Sequence, residues 1–209
     1  MKFKGVIFDL DGVICFTDKF HYQAWKKLAD RLGIEFDEKI NDRLRGVSRM
    51  ASLEIILEKS ARAYSDAEKE SFAAEKNDAY RALLENMGKS DVSEEVRDTL
   101  SELRARGVLL AIGSSSRNTP LILEKTGMKQ YFDAVSDGNN ITRSKPDPEV
   151  FLKAAEKLGE SPSNCAVVED SMSGIIAAKA GGFYAVAISD AKKSPIADLR
   201  IEKLSNILH

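Results

Sequence analysis

Residues 5–12 read Gly5-Val6-Ile7-Phe8-Asp9-Leu10-Asp11-Gly12, a short apolar run that stops on two carboxylates and a glycine. A run without polar alternation suits a strand buried on both faces, the habit of a parallel sheet. Similar runs recur at residues 108–112, 132–136, 166–168 and 184–188. Between them lie helix-period stretches at 93–106, 121–126, 148–158 and 173–180, the first three closed by Gly107, Gly127 and Gly159. Strand and helix in regular alternation imply an α/β, doubly wound, Rossmann-like core with right-handed crossovers.

Residues 17–88 interrupt that scheme. Ala24, Trp25, Leu28, Ala29 and Leu32 form a helical stripe with Gly33 where the helix would end. Two further helical stretches span 51–59 and 65–87, the second opened by a capping box of Ser65 with Glu68. No strand pattern occurs between 17 and 88. The first strand is therefore separated from the rest of its sheet by an inserted all-helical cap, residues 17–88, and the core is discontinuous, residues 1–16 and 89–209. The cap is expected to stand over the carboxyl edge of the sheet.

The 209 residues carry 31 Lys+Arg against 33 Asp+Glu, a net charge of −2, and 43% are apolar. A chain of this size buries roughly 70% of its unfolded surface, so it needs no disulfide or metal staple. The near-neutral balance and lack of a basic block argue against nucleic acid as a partner. No apolar window approaches the about 18 residues of a membrane span, and the start lacks a signal-peptide pattern, so no membrane partner and a cytoplasmic location are expected. Cys15 and Cys165 stand far apart in apolar surroundings and are expected to be buried thiols. A monomer is the default.

Ligands of an open parallel sheet bind beyond the carboxyl ends of its strands. The residues there are Asp9 and Asp11, then Ser114-Ser115-Ser116-Arg117-Asn118, then Ser144-Lys145-Pro146 ahead of a helix, then Glu169-Asp170-Ser171. Four carboxylates at close range repel by about 1 kcal/mol per pair at ~4 Å in water, and about 4 at an effective dielectric near 20. Lys145 offsets part of this. An oxygen-only cluster without His or Cys favours a hard cation such as Mg²⁺, which is commonly completed by phosphate oxygens, so the implied substrate is a phosphate. Asp9 and Asp11, two apart at a strand end, can share one side: one can attack while the other moves protons. The Ser114 hydroxyl and backbone N–H groups near the following helix start are expected to hold phosphate oxygens.

Asp9-Leu10-Asp11-Gly12, Ser114, Lys145-Pro146 and Glu169-Asp170, in this order and spacing, resemble the four motifs of the haloacid dehalogenase superfamily of phosphotransferases, and the helical insert resembles its cap. The further stretches Thr17, His21 and Trp25, Leu44-Arg45-Gly46-Val47-Ser48-Arg49, Lys76-Asn77-Asp78 and Ser114 to Asn118 are similar to a phosphosugar-mutase branch. Its members interconvert beta-glucose 1-phosphate and glucose 6-phosphate through an aspartyl-phosphate enzyme and glucose 1,6-bisphosphate. The resemblance implies that Asp9 is the nucleophile and Asp11 the general acid/base, with Mg²⁺ held by Asp9, the Asp11 backbone carbonyl and Asp170, and supported by Glu169. It places Ser114 and Lys145 on the transferring phosphoryl group, and Arg49, Ser116, Arg117 and Asn118 on the other phosphate. It also places His21 and Lys76 at the cap–core interface. Thr17, Trp25, Leu44, Gly46, Val47, Ser48 and Ser115 complete the implied contacts to a small sugar phosphate.

Three features depart from the pattern. Arg117 stands where lysine is frequent, Cys15 and Phe16 are apolar beside the acidic loop, and the carboxyl end is short. The competing readings are a Mg²⁺-dependent sugar-phosphate phosphatase with the same core residues, a phospho-receiver switch and a silent binding protein. A receiver would carry its acceptor aspartate on a later strand and have no helical insert, and a silent protein would have lost Asp9 or Asp170.

Overall fold

The computed structural model describes residues 3–44 and 47–209. Six parallel strands form one sheet in the order β3-β2-β1-β4-β5-β6: β1 Gly5–Phe8, β2 Leu109–Gly113, β3 Ala134–Ser136, β4 Cys165–Glu169, β5 Tyr184–Ala187 and β6 Leu199–Arg200. β1 lies at the centre, with Gly5 in register with Leu109 on one side and Cys165 on the other. That position explains its unbroken apolar sequence, because both faces are covered. Val6, Phe8, Leu110, Ile112, Ala166 and Val168 enter one apolar cluster, with Val96, Leu100 and Leu103 of α5 (Glu94–Ala105). Ile7, Ala111, Val167 and Ala185 enter the other, against Val150, Phe151 and Ala154 of α7 (Glu149–Leu158) and Ile175 and Ala178 of α8 (Met172–Ala180). Each fully buried Val, Leu, Ile or Phe contributes about 1.5–3 kcal/mol of transfer free energy, so the two-sided apolar pattern holds the layers together. α6 spans Thr119–Lys125.

The residues between β1 and β2 carry α1 (Asp18–Leu32), α2 (Glu38–Asp42), α3 (Arg49–Leu57) and α4 (Asp66–Leu84). Gly33 caps α1 at φ 69°, and Ser65 with Glu68 forms the capping box of α4. These helices share their own apolar cluster, which includes Trp25, Leu28, Leu53, Ile56 and Phe72. Ala24, Tyr80 and Leu84 instead face the sheet-side cluster, so α1 and α4 bridge the two. α2 has no counterpart in the hydrophobic periodicity: five residues capped by Asp37, with only Ile40 buried, are too short to show a stripe. β6 escapes for a similar reason, since both its residues are exposed at the sheet edge. The carboxyl end closes in a 3-10 turn, Leu204–Leu208, that buries Leu204, rather than in an α-helix. Cys15 and Cys165 are free and buried, as expected. Among the described residues no helix is long and apolar enough to cross a membrane.

Candidate active site

The ends of β1 and β4 lie side by side, which brings Asp9 and Glu169 together beneath the cleft. Lys145 sits between them, bonded to Asp9 and, at 2.5 Å, to Glu169. All three are buried. The other Glu169 oxygen accepts from the N–H of Ser171 at 2.8 Å and from its hydroxyl at 2.9 Å. Glu169 therefore acts mainly through Lys145 and the following turn. Two glycines make room for this packing. Gly12, at φ 87°, would clash through a Cβ with the Asp170 carboxylate, and a Cβ on Gly174 would overlap that of Glu169.

Burial dominates the electrostatics of this floor. It pushes Asp9 up to about 7, with Lys145 opposing and Glu169 and Asp11 adding. It pushes Asp170 up to about 9, reinforced by the charges of Glu169 and Asp9. For Lys145 burial acts downward, but the charges and hydrogen bonds of Asp9 and Glu169 outweigh it and the pKa is raised. Asp11 is pushed up to about 6 by burial, against a hydrogen bond donated by the Thr17 hydroxyl. The Tyr80 hydroxyl donates to that same Thr17 oxygen at 3.1 Å. Thr17 is therefore not on the cleft wall, where the resemblance placed it: its fully buried hydroxyl stands behind Asp11 and orients it.

The excess of carboxylates over lysine invites a cation. Among the described residues no three His, Cys, Asp or Glu side chains are grouped to cage a metal alone. The donor set still fits Mg²⁺, which needs only one or two carboxylates and takes the rest of its oxygens from water and phosphate. Asp170 lines the cleft with Asp9 and Asp11, where these carboxylates could hold such an ion.

Above the floor the cleft, about 850 Å³, is walled by the cap and by the loop after β2. His21, Trp25, Leu44, Val47, Ser48, Arg49 and Lys76 line it from the cap, and Ser114 to Asn118 from the core. Gly46 lies outside the described residues. The His21 ring stacks on Tyr80 at 4.0 Å between centroids, and its Nδ1 is 2.8 Å from Lys76 Nζ. Burial, then the charges of Lys76 and Arg49, hold His21 well below its ordinary pKa, so the neutral ring accepts from Lys76 through Nδ1. Lys76 is pushed down to about 7 by burial and by Arg49. Its Nζ lies 4.8 Å from the Trp25 ring centroid and 4.5 Å from that of Tyr80. Arg49 is lowered by burial and next by the charge of Arg117, so two guanidinium groups confront each other across the cleft. Among the described residues neither forms an ion pair, and Arg117 Nε donates only to the Gly138 carbonyl, at 3.2 Å.

The loop after β2 differs in one respect from expectation. The N–H groups of Ser116 and Asn118 already donate to the Ser114 and Ser116 hydroxyls, both at 3.2 Å, because serine side chains fold back onto the backbone two residues on. The Ser115 hydroxyl is buried without a hydrogen-bond partner among the described residues, a cost of about 1–3 kcal/mol that a ligand would relieve. Sequence reasoning missed Asn41, Met50, Ser52, Gly138 and the segment 141–143, which also line the cleft. Ser52 was within reach, being three residues from Arg49 on the same helix.

With this geometry in view, residues 3–182 match the haloacid dehalogenase-like hydrolase family. The chain belongs to that family. It is 38% identical over 206 residues to beta-phosphoglucomutase of Bacillus subtilis, a match covering 98% of this chain and 91% of that one. It is 31% identical over 186 residues to a fructose-1-phosphate phosphatase of Escherichia coli, covering 88% and 96%. Its structure aligns with the crystal structure of beta-phosphoglucomutase from Clostridium difficile at TM-score 0.91 and 34% identity, over 98% of this chain and 93% of that one. Haloacid dehalogenase-like relatives named for a mutase and for a phosphatase thus both match along most of the chain. What separates a mutase from a phosphatase is whether the phosphoryl group goes to a sugar or to water.

Proposed function

We propose that this enzyme is a phosphosugar mutase interconverting beta-glucose 1-phosphate and glucose 6-phosphate through an aspartyl-phosphate enzyme and glucose 1,6-bisphosphate. The observation that carries the reading is the pair Arg49 and Arg117, two guanidinium groups without ion-pair partners among the described residues, facing one cleft whose floor is a separate, carboxylate-rich site. A bisphosphate needs two anion sites, and a guanidinium fork suits the second.

In this mechanism Asp9, charged with a phosphoryl group, donates it to the 6-hydroxyl of beta-glucose 1-phosphate. Asp11, with a pKa near 6, takes the hydroxyl proton as the new O–P bond forms and the bond to Asp9 breaks. The bisphosphate turns end for end. Asp9 then attacks the phosphorus at C1, Asp11 returns the proton to the departing C1 oxygen, and glucose 6-phosphate leaves a recharged Asp9. Lys145 and Ser114 hold the phosphoryl oxygens in transit, while Arg49 and Arg117 hold the phosphate that is not reacting. Asp9, the Asp11 carbonyl and Asp170 would hold Mg²⁺, which would supply charge neutralisation at the transferring group. The cap residues His21 and Lys76 close over the sugar and keep water from Asp9.

The test is phosphorus NMR with Mg²⁺, beta-glucose 1-phosphate and a trace of glucose 1,6-bisphosphate. The reading expects glucose 6-phosphate without matching inorganic phosphate. Inorganic phosphate alone would move the enzyme to the sugar-phosphate phosphatases.

A further inference from the structure

Asn118 ends the loop that bears Arg117, is buried at the cleft wall, and bonds the cap through its side-chain amide. Its Nδ2 donates to Asn77 Oδ1 at 2.9 Å, and its Oδ1 accepts from Arg81 Nη1 at 3.2 Å. A guanidinium can only donate, so the oxygen end of Asn118 must face Arg81. Its NH₂ must then face Asn77, which has to present an acceptor. Asn77 and Arg81 lie four apart on α4, and so on one face of it. This helix also brings Lys76 to the cleft and anchors Tyr80 and Leu84 in the sheet-side cluster.

The opposite side of the loop is held as firmly. The Gly138 N–H donates to the Ser116 carbonyl at 3.2 Å, and Asn139 Nδ2 donates to the Arg117 carbonyl at 3.0 Å. A Cβ on Gly138 would overlap the Ser115 carbonyl oxygen. Each end of the Asn118 amide thus has one partner on α4 and its N–H donates to the Ser116 hydroxyl, which leaves the second Nδ2 hydrogen as its remaining donor toward the cleft.

We infer that Asn77 and Arg81 are positioning residues for the second phosphate. By engaging both ends of the Asn118 amide from the cap, they set the orientation of Ser116 and Arg117 towards Arg49. Affinity for the second phosphate is thereby tied to the seating of α4 on the core. The inference rests on the mutase reading, through the second phosphate site.

The test measures binding of glucose 1,6-bisphosphate and of inorganic phosphate by calorimetry, for wild type, Asn77→Leu, Asn77→Asp and Arg81→Leu. Hydrolysis of p-nitrophenyl phosphate serves as a check on the Asp9 floor. Asn77→Leu removes the acceptor at similar size and is expected to weaken the bisphosphate about five- to tenfold while leaving hydrolysis unchanged. In the mutase assay it should raise KM more than it lowers kcat. Asn77→Asp retains an acceptor and should restore most of the affinity, which a merely structural role would not do. Arg81→Leu, at an exposed position, should weaken the bisphosphate in the same direction if Asn77→Leu does not fold. Unchanged bisphosphate affinity in both leucine variants, or equal losses in Asn77→Leu and Asn77→Asp, would overturn the inference. A wild type that binds the bisphosphate no better than inorganic phosphate would remove the second site itself and the mutase reading with it.

Discussion

At the edge of the sheet, Asp9, Glu169 and Asp170 crowd around Lys145, held by two adjacent strand ends and two glycines. Across the cleft, Arg49, Lys76 and Arg117 depend on helices and a loop; burial lowers Arg49 and Lys76, and like charges add to it, Arg117 on Arg49 and Arg49 on Lys76. The floor gathers carboxyl groups around one lysine, whereas the roof gathers cationic side chains. Neither is a stable arrangement alone, because buried charges of one sign are costly without a partner. On the proposed mutase reading, a phosphate ester with a divalent cation would answer the floor and a second phosphate the roof.

The comparison can be broken first at the floor. Asp9→Asn replaces the attacking carboxylate by an amide, and turnover is expected to fall by about 10⁴-fold or more in any phosphoryl-transfer assay. Retained activity in a steady-state assay would remove Asp9 as the nucleophile. Lys145→Ala leaves Asp9 and Glu169 without their shared cation. In denaturant melts with a chelator at pH 8 it is expected to cost about 3–5 kcal/mol. The loss should shrink at pH 5, because carboxyls whose folded pKa is raised take up protons and shed the buried charge.

The roof can be sharpened by a smaller effect. Lys76 has a folded pKa near 7 against 10.5 when unperturbed. Between these values the unfolded chain binds a proton that the folded one does not, so this group makes stability rise with pH across that window. The burial penalty is fully present below pH 7. Lys76→Met is therefore expected to be more stable than wild type by about 1–3 kcal/mol at pH 6, with the gain fading toward pH 10. A gain independent of pH in thermal melts would show that Lys76 is not the titrating group.

The same contrast explains what could be read before the structure. Asp9, Ser114 and Glu169 were legible because a parallel sheet delivers its strand ends to one edge, and apolar runs mark those ends, while Lys145 was placed with them from the segment ahead of α7. The strand order did not follow from the same runs, which mark strands but not which of them pair. Arg49 and Lys76 were reached only through a resemblance, since nothing in helical periodicity says which charge of a cap faces the core. Asn41 and Ser52 went unnoticed because they line the cleft only after α2 and α3 are seated. Thr17 was assigned to the ligand, but its hydroxyl is taken by Asp11 and Tyr80, and Asn118 also bonds Asn77 and Arg81 of the cap, pairings that follow from tertiary packing and not from spacing.

The most direct test of the two-pole account compares Arg49→Ala with wild type in two assays, mutase flux from beta-glucose 1-phosphate and hydrolysis of p-nitrophenyl phosphate, which has only one phosphate. The account predicts that mutase flux falls about 10- to 100-fold while hydrolysis stays within about twofold. Equal losses in both assays, or none in either, would contradict it.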